Sequence, residues 1–247
     1  MLGLFKNNKK SGEEVLVLPI TTDMHSHILP GIDDGSPDVE TSLQLVKGLM
    51  ALGINKSIAS PHIIGDMYRN NAATIAAAKD TLQKALEQES LDFELSAAAE
   101  YMLDSYFFEL LHHKTALLTV KDKLILTEFS YAAMPSNPSE MAFAILTEGY
   151  TPILAHPERY GYYHSNFKQF DYLKDLGFLL QVNLLSLTGY YGKPAAKAAR
   201  YLIKNNLVSF VGTDLHHERH LSALSDAKNK KLFAEILADI PLENMQL

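Results

Sequence analysis

The stretch TDMHSHILPGIDDG, residues Thr22–Gly35, decides how the rest of the chain is read. The apolar run VLPITTDMH leads into it as a strand. A strand alternates its faces, so His25 and His27 point the same way. Two imidazoles side by side repel when protonated and gain nothing from core burial. A metal ion would want both. A turn carrying Asp33 and Asp34 before Gly35 follows at once.

Working outward, further strand-like runs are KSIASPH (56–62), FELSAAAEY (93–101), KLILTEFS (123–130), TPILAHPE (151–158), FLLQVN (178–183) and LVSFVGTDLH (207–216). Between them lie helix-like segments at 38–52, 71–90, 104–113, 138–148, 166–176, 193–205 and 222–238. Ser36-Pro37-Asp38 and Ser136-Asn137-Pro138 are helix-start signals, and Gly53, Gly149 and Gly177 stand where C-terminal caps stand. Strands alternating with helices argue for a parallel α/β architecture. What sits at the strand ends favours a barrel-like winding, since the C-terminal strand ends of α/β barrels converge on one face.

Those ends carry His25 and His27, His62, Glu100, Glu128, His156, and finally Asp214 and His216, with Asp33 and Asp34 in the first loop. The sixth end offers only Gln181 and Asn183. A lone histidine or glutamate at a strand end is usually packed, capping or salt-bridged. A metal-ligating residue type at nearly every end makes separate explanations improbable together. Imidazoles with carboxylates and no sulfur suit Mn²⁺, Fe²⁺ or Zn²⁺. The donors are too many for one ion and imply two or three divalent ions. Close ion pairs of this kind activate water and stabilise phosphoryl oxygens in phosphoester hydrolases. Arg159, three residues after His156, has the planar fork that suits a phosphate; its alternative is an ion pair with Glu158. Arg219, three residues after His216, is a second candidate. His164, His217 and His220 are undecided as proton donors, and His112-His113 read as solvated.

The 247 residues are 47% apolar and 21% charged, enough for one large core. Residues 1–17 read as a flexible tail and 18–247 as a single domain. The net charge of −7 and the lack of a basic block argue against a nucleic-acid partner. There is no cysteine, which excludes disulfides, thiolate metal sites and a cysteine nucleophile, and fits a cytoplasmic location. No apolar run is long enough to span a membrane. Oligomeric state is not legible.

The motifs DMHSHILPGIDDG, SPH, AAAEYM, LTEFS, PILAHPERY, QVN and GTDLH, in that order over residues 23–216, resemble the PHP (polymerase and histidinol phosphatase) superfamily. Within it, the chain is similar to the bacterial metal-dependent protein-tyrosine phosphatases of capsular and exopolysaccharide operons. The resemblance implies a distorted seven-stranded (β/α)7 TIM-like barrel with a trinuclear site. His25, His27, Glu100 and Asp214 would hold one ion. Glu100 would bridge to a second, held also by Glu128 and His156. Asp34, His62 and His216 would hold the third. Arg159 would bind phosphate, with Arg219 closer to His216 than the family pattern places its second arginine. Ile63-Ile64 stand where capsular members carry basic residues. The implied reaction is hydrolysis of phosphotyrosine by a metal-activated hydroxide, on a partner such as a bacterial tyrosine autokinase regulating polysaccharide synthesis. Tyr101, Phe129, Tyr131 or Tyr160 could pack against the phenyl ring. The rival readings are another phosphomonoesterase of the superfamily such as a histidinol-phosphate phosphatase, a binding subunit with structural metals, and an exonuclease.

Overall fold

Alternation of apolar residues along short strands, each followed by an amphipathic helix, builds a parallel α/β protein. The computed structural model describes residues 17–247; residues 1–16, nearly all of the expected tail, lie outside the described residues. The order is β1 (Thr22–Asp23), α1 (Val39–Ala51), β2 (Lys56–Ala59), β3 (His62–Ile63), α2 (Ala72–Gln88), β4 (Glu94–Ala97), β5 (Glu100–Met102), α3 (Ser105–His112), β6 (Leu124–Glu128) and α4 (Pro138–Thr147). It continues with β7 (Thr151–Ala155), α5 (Lys168–Asp175), β8 (Leu179–Asn183), α6 (Leu184–Thr188), α7 (Lys193–Lys204), β9 (Val208–Gly212), α8 (Glu218–Ser225) and α9 (Ala227–Leu237).

All strand pairs are parallel and fall into two sheets, β1-β2-β4 and β3-β5-β6-β7-β8-β9. The seven strand regions lie where the sequence places them, but they do not form one continuous ladder. The second and third are each interrupted, at Ser60-Pro61 and at Ala98-Ala99. Pro61 has no N–H to give a ladder. Single bonds carry the pairing across the break: Ala98 N donates to Ala59 O at 2.8 Å and Glu100 N to Pro61 O at 3.0 Å. Beyond β1 and β9, Asp214 N donates to His25 O at 2.8 Å and His27 N to Leu215 O at 2.9 Å.

The helices start and stop for local reasons. Asp38 caps α1 by accepting from Thr41 N, and Asn71 forms a capping box with Thr74 at α2. Pro138 opens α4. Gly53, Gly149 and Gly177 take positive φ just past α1, α4 and α5. The segment expected as one helix over 222–238 is two, because Asp226 leaves the helical region and caps α9 through Lys228 N and Asn229 N. The short α6, buried over Leu184, Leu185, Ser186 and Leu187, has no periodicity long enough to be read from sequence. Among the described residues, no helix is long and apolar enough to cross a membrane.

The strand alternation positions the site. One face packs against the helices through residues such as Ala59, Ile63, Ala99, Tyr101, Ile125, Leu154, Leu180, Val182 and Val211. The other face supplies a second apolar cluster including Ile58, Ala98, Leu126 and Phe210. Two or four residues further along the same faces stand His62, Glu100, Glu128 and Asp214, so this small core carries a polar layer at the C-terminal strand ends.

Candidate metal centre

Four donor atoms from three strand ends form the middle of this layer. His25 Nε2 lies 3.2 Å from His27 Nε2, 3.3 Å from Glu100 Oε2 and 3.4 Å from Asp214 Oδ1. His27 Nε2 lies 3.4 Å from both Glu100 Oε2 and Asp214 Oδ1. Two donors that each lie about 2.0 Å from one small divalent ion, at a tetrahedral angle, are about 3.3 Å apart, so each of these five pairs has the spacing of ligands shared by one ion.

Neighbouring side chains hold these four in place. His25 Nδ1 meets Gln181 Oε1 at 2.8 Å, and His27 Nδ1 meets Asp33 Oδ2 at 2.8 Å, which leaves each Nε2 facing inward. Asp214 Oδ2 accepts from Arg159 Nη1 at 2.6 Å and from Asn183 Nδ2 at 2.8 Å, leaving Oδ1 for the cluster. Glu100 turns Oε1 to His156 Nε2 at 3.0 Å, and Tyr131 Oη meets His156 Nδ1 at 3.1 Å. The backbone is bent to suit. His156 and Asp214 take φ of +37° and +50°, left-handed values that cost a non-glycine residue energy and cluster at functional sites. A Cβ at Gly35 would lie 2.1 Å from His27 O, and one at Gly212 would lie 2.8 Å from His25 Cβ, so both histidines rest against bare backbone.

His62 faces two ways. Its Nδ1 is 3.2 Å from Glu100 Oε2 and 3.1 Å from Glu128 Oε1, while its Nε2 is 3.5 Å from Asp34 Oδ1. Asp34 Oδ1 is in turn 3.6 Å from His216 Nε2. The nine side chains of the implied ligand sets are thus brought together. Their grouping departs from the sets implied by the resemblance: Glu128 approaches His62 and Glu100, and His156 groups with His25 and Asp214. Of the two turn aspartates, Asp34 faces the cluster's open side. Asp33 is buried behind His27 and also accepts from Gly35 N and His62 N.

Arg159 pairs with Asp214, whereas Glu100 and Glu128 meet only imidazoles. His62 Nδ1, Glu100 Oε2 and Glu128 Oε1 are buried and make no hydrogen bond, the pattern of atoms built to face a cation. Burial opposes a charged His25, yet Glu100 and Asp214 outweigh it and push its pKa up to about 9. Burial pushes Glu128 up, reinforced by Glu100. Burial pushes His156 down to about 4, which leaves its ring neutral, the form that ligates. The donor chemistry and the orphaned atoms therefore fit divalent ions.

Arg159 is half-buried beside the centre rather than paired with Glu158. Glu158 is buried behind it and accepts from Asn183 N at 3.0 Å and Ser186 Oγ at 2.6 Å. Arg219 is exposed on α8, and no hydrogen bond or ion pair joins it to the cluster among the described residues. His164 meets Glu158 O at 2.8 Å, His217 caps α8, and His220 is buried against the rings of His216, His217 and Tyr190. Of the four aromatic residues considered for ring packing, Tyr101, Phe129 and Tyr160 are buried in the core and Tyr131 is exposed. Ile63 is buried, and Ile64 pairs with Tyr68, whose ring lies parallel to His62 at 5.8 Å. The supporting roles of Gln181, Asn183 and Tyr131 carry no sequence signal beyond polar or aromatic residues at strand ends.

Fold and site together define a class: a parallel α/β protein whose strand ends gather sulfur-free clusters of His, Asp and Glu that could hold metal ions. A family model for capsular polysaccharide synthesis, CpsB/CapC, matches residues 21–245. The chain belongs to this CpsB/CapC family. It is 32% identical over 196 residues to the tyrosine-protein phosphatase YwqE of Bacillus subtilis (strain 168), covering 79% of this chain and 77% of that one. It is 29% identical to the tyrosine-protein phosphatase CpsB of Streptococcus pneumoniae, covering 79% of this chain and 82% of that one. A solved structure from work on YwqE and CpsB, described as unique metal-dependent tyrosine phosphatases, superposes with a TM-score of 0.74 at 28% identity, covering 89% and 92% of the two chains. A lactonase from Listeria monocytogenes shares the fold at a TM-score of 0.52 and 11% identity.

Proposed function

We propose that this protein is a metal-dependent protein-tyrosine phosphatase that hydrolyses phosphotyrosine on a bacterial tyrosine autokinase controlling capsular or exopolysaccharide synthesis in the cytoplasm. The observation that carries the reading is the buried donors of His25, His27, Glu100 and Asp214, the two imidazoles 3.2 Å apart and each 3.3–3.4 Å from both carboxylates. On this reading the seven strand regions act as one distorted barrel within a single domain from residue 18, and two or three ions, Mn²⁺ first, occupy its mouth. His25, His27, Glu100 and Asp214 would hold one. Glu100, Glu128 and His156, with His62 near them, would serve a second. Asp34, His62 and His216 would serve a third. Such ions supply Lewis acidity and lower the pKa of water toward neutrality.

The chain's own residues do the rest. Burial opposes the charge on Arg159, but Asp214 outweighs this and holds its pKa above the usual range, so the guanidinium stays charged. Nη1 is tied to Asp214, and its other donors have no partner among the described residues, so they can take phosphoryl oxygens. Charge growing on those oxygens is met by a cation already in place. Tyr131, exposed beside Arg159, offers a ring face for the substrate phenyl group. The departing phenolate has a pKa of about 10, so it needs less help from an acid than an alkyl alcohol does. No cysteine is available as a nucleophile, and direct attack by water requires none.

Metal-depleted protein supplied with Mn²⁺ is expected to hydrolyse a phosphotyrosine peptide in preference to histidinol phosphate, and chelation to abolish turnover. Full activity in a cleanly demetallated sample would overturn the reading.

A further inference from the structure

The turn between α6 and α7 carries Tyr190-Tyr191 between two glycines, Gly189 and Gly192, with φ of +86° and +95°. These left-handed positions suit glycine and let the chain double back over the site. Tyr191 comes to lie on Arg159, with the guanidinium carbon 4.2 Å from its ring centroid. Tyr131 meets the same guanidinium at 5.2 Å, so two aromatic rings flank it.

The Tyr191 hydroxyl is buried and makes no hydrogen bond. An unsatisfied buried hydroxyl is costly, and a structure sustains it where a ligand relieves it. Three orphaned atoms of the clustered donors, His62 Nδ1, Glu100 Oε2 and Glu128 Oε1, look for a cation. A phenol does not, while it keeps its proton. Burial raises the Tyr191 pKa, and the neighbouring Asp214 adds to this, so the group is a donor in search of an acceptor. The acceptor that belongs beside Arg159 is an anion.

We propose that Tyr191 is a substrate-binding residue of this site. Its hydroxyl donates to a phosphoryl oxygen held by Arg159, and its ring fixes the plane of the guanidinium. This rests on the phosphatase reading above. It assigns a residue outside the strand-end motifs to recognition of the phosphate group, and so to product release as well.

The test compares Tyr191→Phe and Tyr191→Leu with the wild type, all Mn²⁺-loaded. It reads kcat/KM on a phosphotyrosine peptide, inhibition by inorganic phosphate, and Tm without phosphate. Tyr191→Phe keeps the ring and removes only the donor. Its kcat/KM is expected to fall about 10–100-fold, the range for a hydrogen bond to a charged group, and its phosphate inhibition constant to rise at least about tenfold. Its Tm should equal or exceed that of the wild type, because an unpaired buried hydroxyl has gone. Tyr191→Leu should lose more, through the freed guanidinium. Kinetics and phosphate inhibition of Tyr191→Phe within about twofold of an active wild type would overturn the assignment alone. A lowered Tm with unchanged phosphate inhibition would make the hydroxyl structural and overturn it equally. A wild type that neither turns over phosphomonoesters nor binds phosphate would overturn the phosphatase reading, and this assignment with it.

Discussion

The floor and the rim of the centre are built differently. On the floor, His25, His27, Glu100 and Asp214 have side chains 0–3% exposed. Each has a further partner: Gln181, Asp33, His156, or Arg159 with Asn183. On the rim, His62 and His216 are 12% and 15% exposed and Asp34 is 52% exposed, and the Asp34 contacts stretch to 3.5 and 3.6 Å. The floor stands on strand ends with its shape set by hydrogen bonds. The rim depends on a loop that follows β1. Preorganised ligands bind with little reorganisation, whereas a loop carboxylate must first be drawn in. The floor should therefore hold its ion tightly, and the rim should exchange more readily with solvent.

The strongest way to break this contrast is Glu100→Gln. Glu100 divides its two oxygens among four histidines of the centre, Oε2 toward His25, His27 and His62 and Oε1 toward His156. The amide removes the charge and sets N–H groups where acceptors are needed. Activity on a phosphotyrosine peptide should fall by more than the roughly 100-fold that changes to supporting residues reach, and excess Mn²⁺ should not restore it. Recovery at high Mn²⁺ would mean that the floor is no more preorganised than the rim.

Gln181→Leu sharpens the same point with a smaller effect. The leucine keeps the volume and removes the acceptor from His25 Nδ1. Mn²⁺ affinity, read from the metal dependence of turnover, should weaken about 10–100-fold, with near wild-type activity at saturating metal. Unchanged Mn²⁺ affinity would show that strand packing alone orients His25.

Period-two alternation made the floor legible in the sequence, since it puts His25 with His27 and sets Glu100, Glu128 and Asp214 above an apolar layer. Yet regular β1 pairing covers only Thr22–Asp23, and the two histidines are aimed by contacts with Leu215, Gln181 and Asp33. Two of those partners, Gln181 and Leu215, lie 156 and 188 positions away in the chain, so no local pattern announces them. Gln181 and Asn183 read as weak ligands because an amide does not advertise what it holds. Spacing could not separate Asp33 from Asp34; the turn buries one behind His27 and leaves the other at the mouth. The interruption of the strands at Pro61 was written in the residue type, but the bonds that carry the pairing past it depend on the neighbouring chain.

Asp34→Asn is the gentlest test of the comparison. The side chain keeps its size and one carbonyl oxygen, and loses its charge. Its neighbours His62 and His216 are imidazoles with other partners, Glu128 for the first and Asp214 for the second. The rim therefore loosens without collapsing, and the floor is untouched. Turnover at saturating Mn²⁺ should fall less than about tenfold, below the range for changes beside a rigid ligand, while the Mn²⁺ concentration needed for half-activity rises. The variant should also remain as stable as the wild type, because a half-exposed carboxylate contributes little to folding. A loss as deep as that of Glu100→Gln would place Asp34 among the rigid donors, and the distinction between floor and rim would have to be given up.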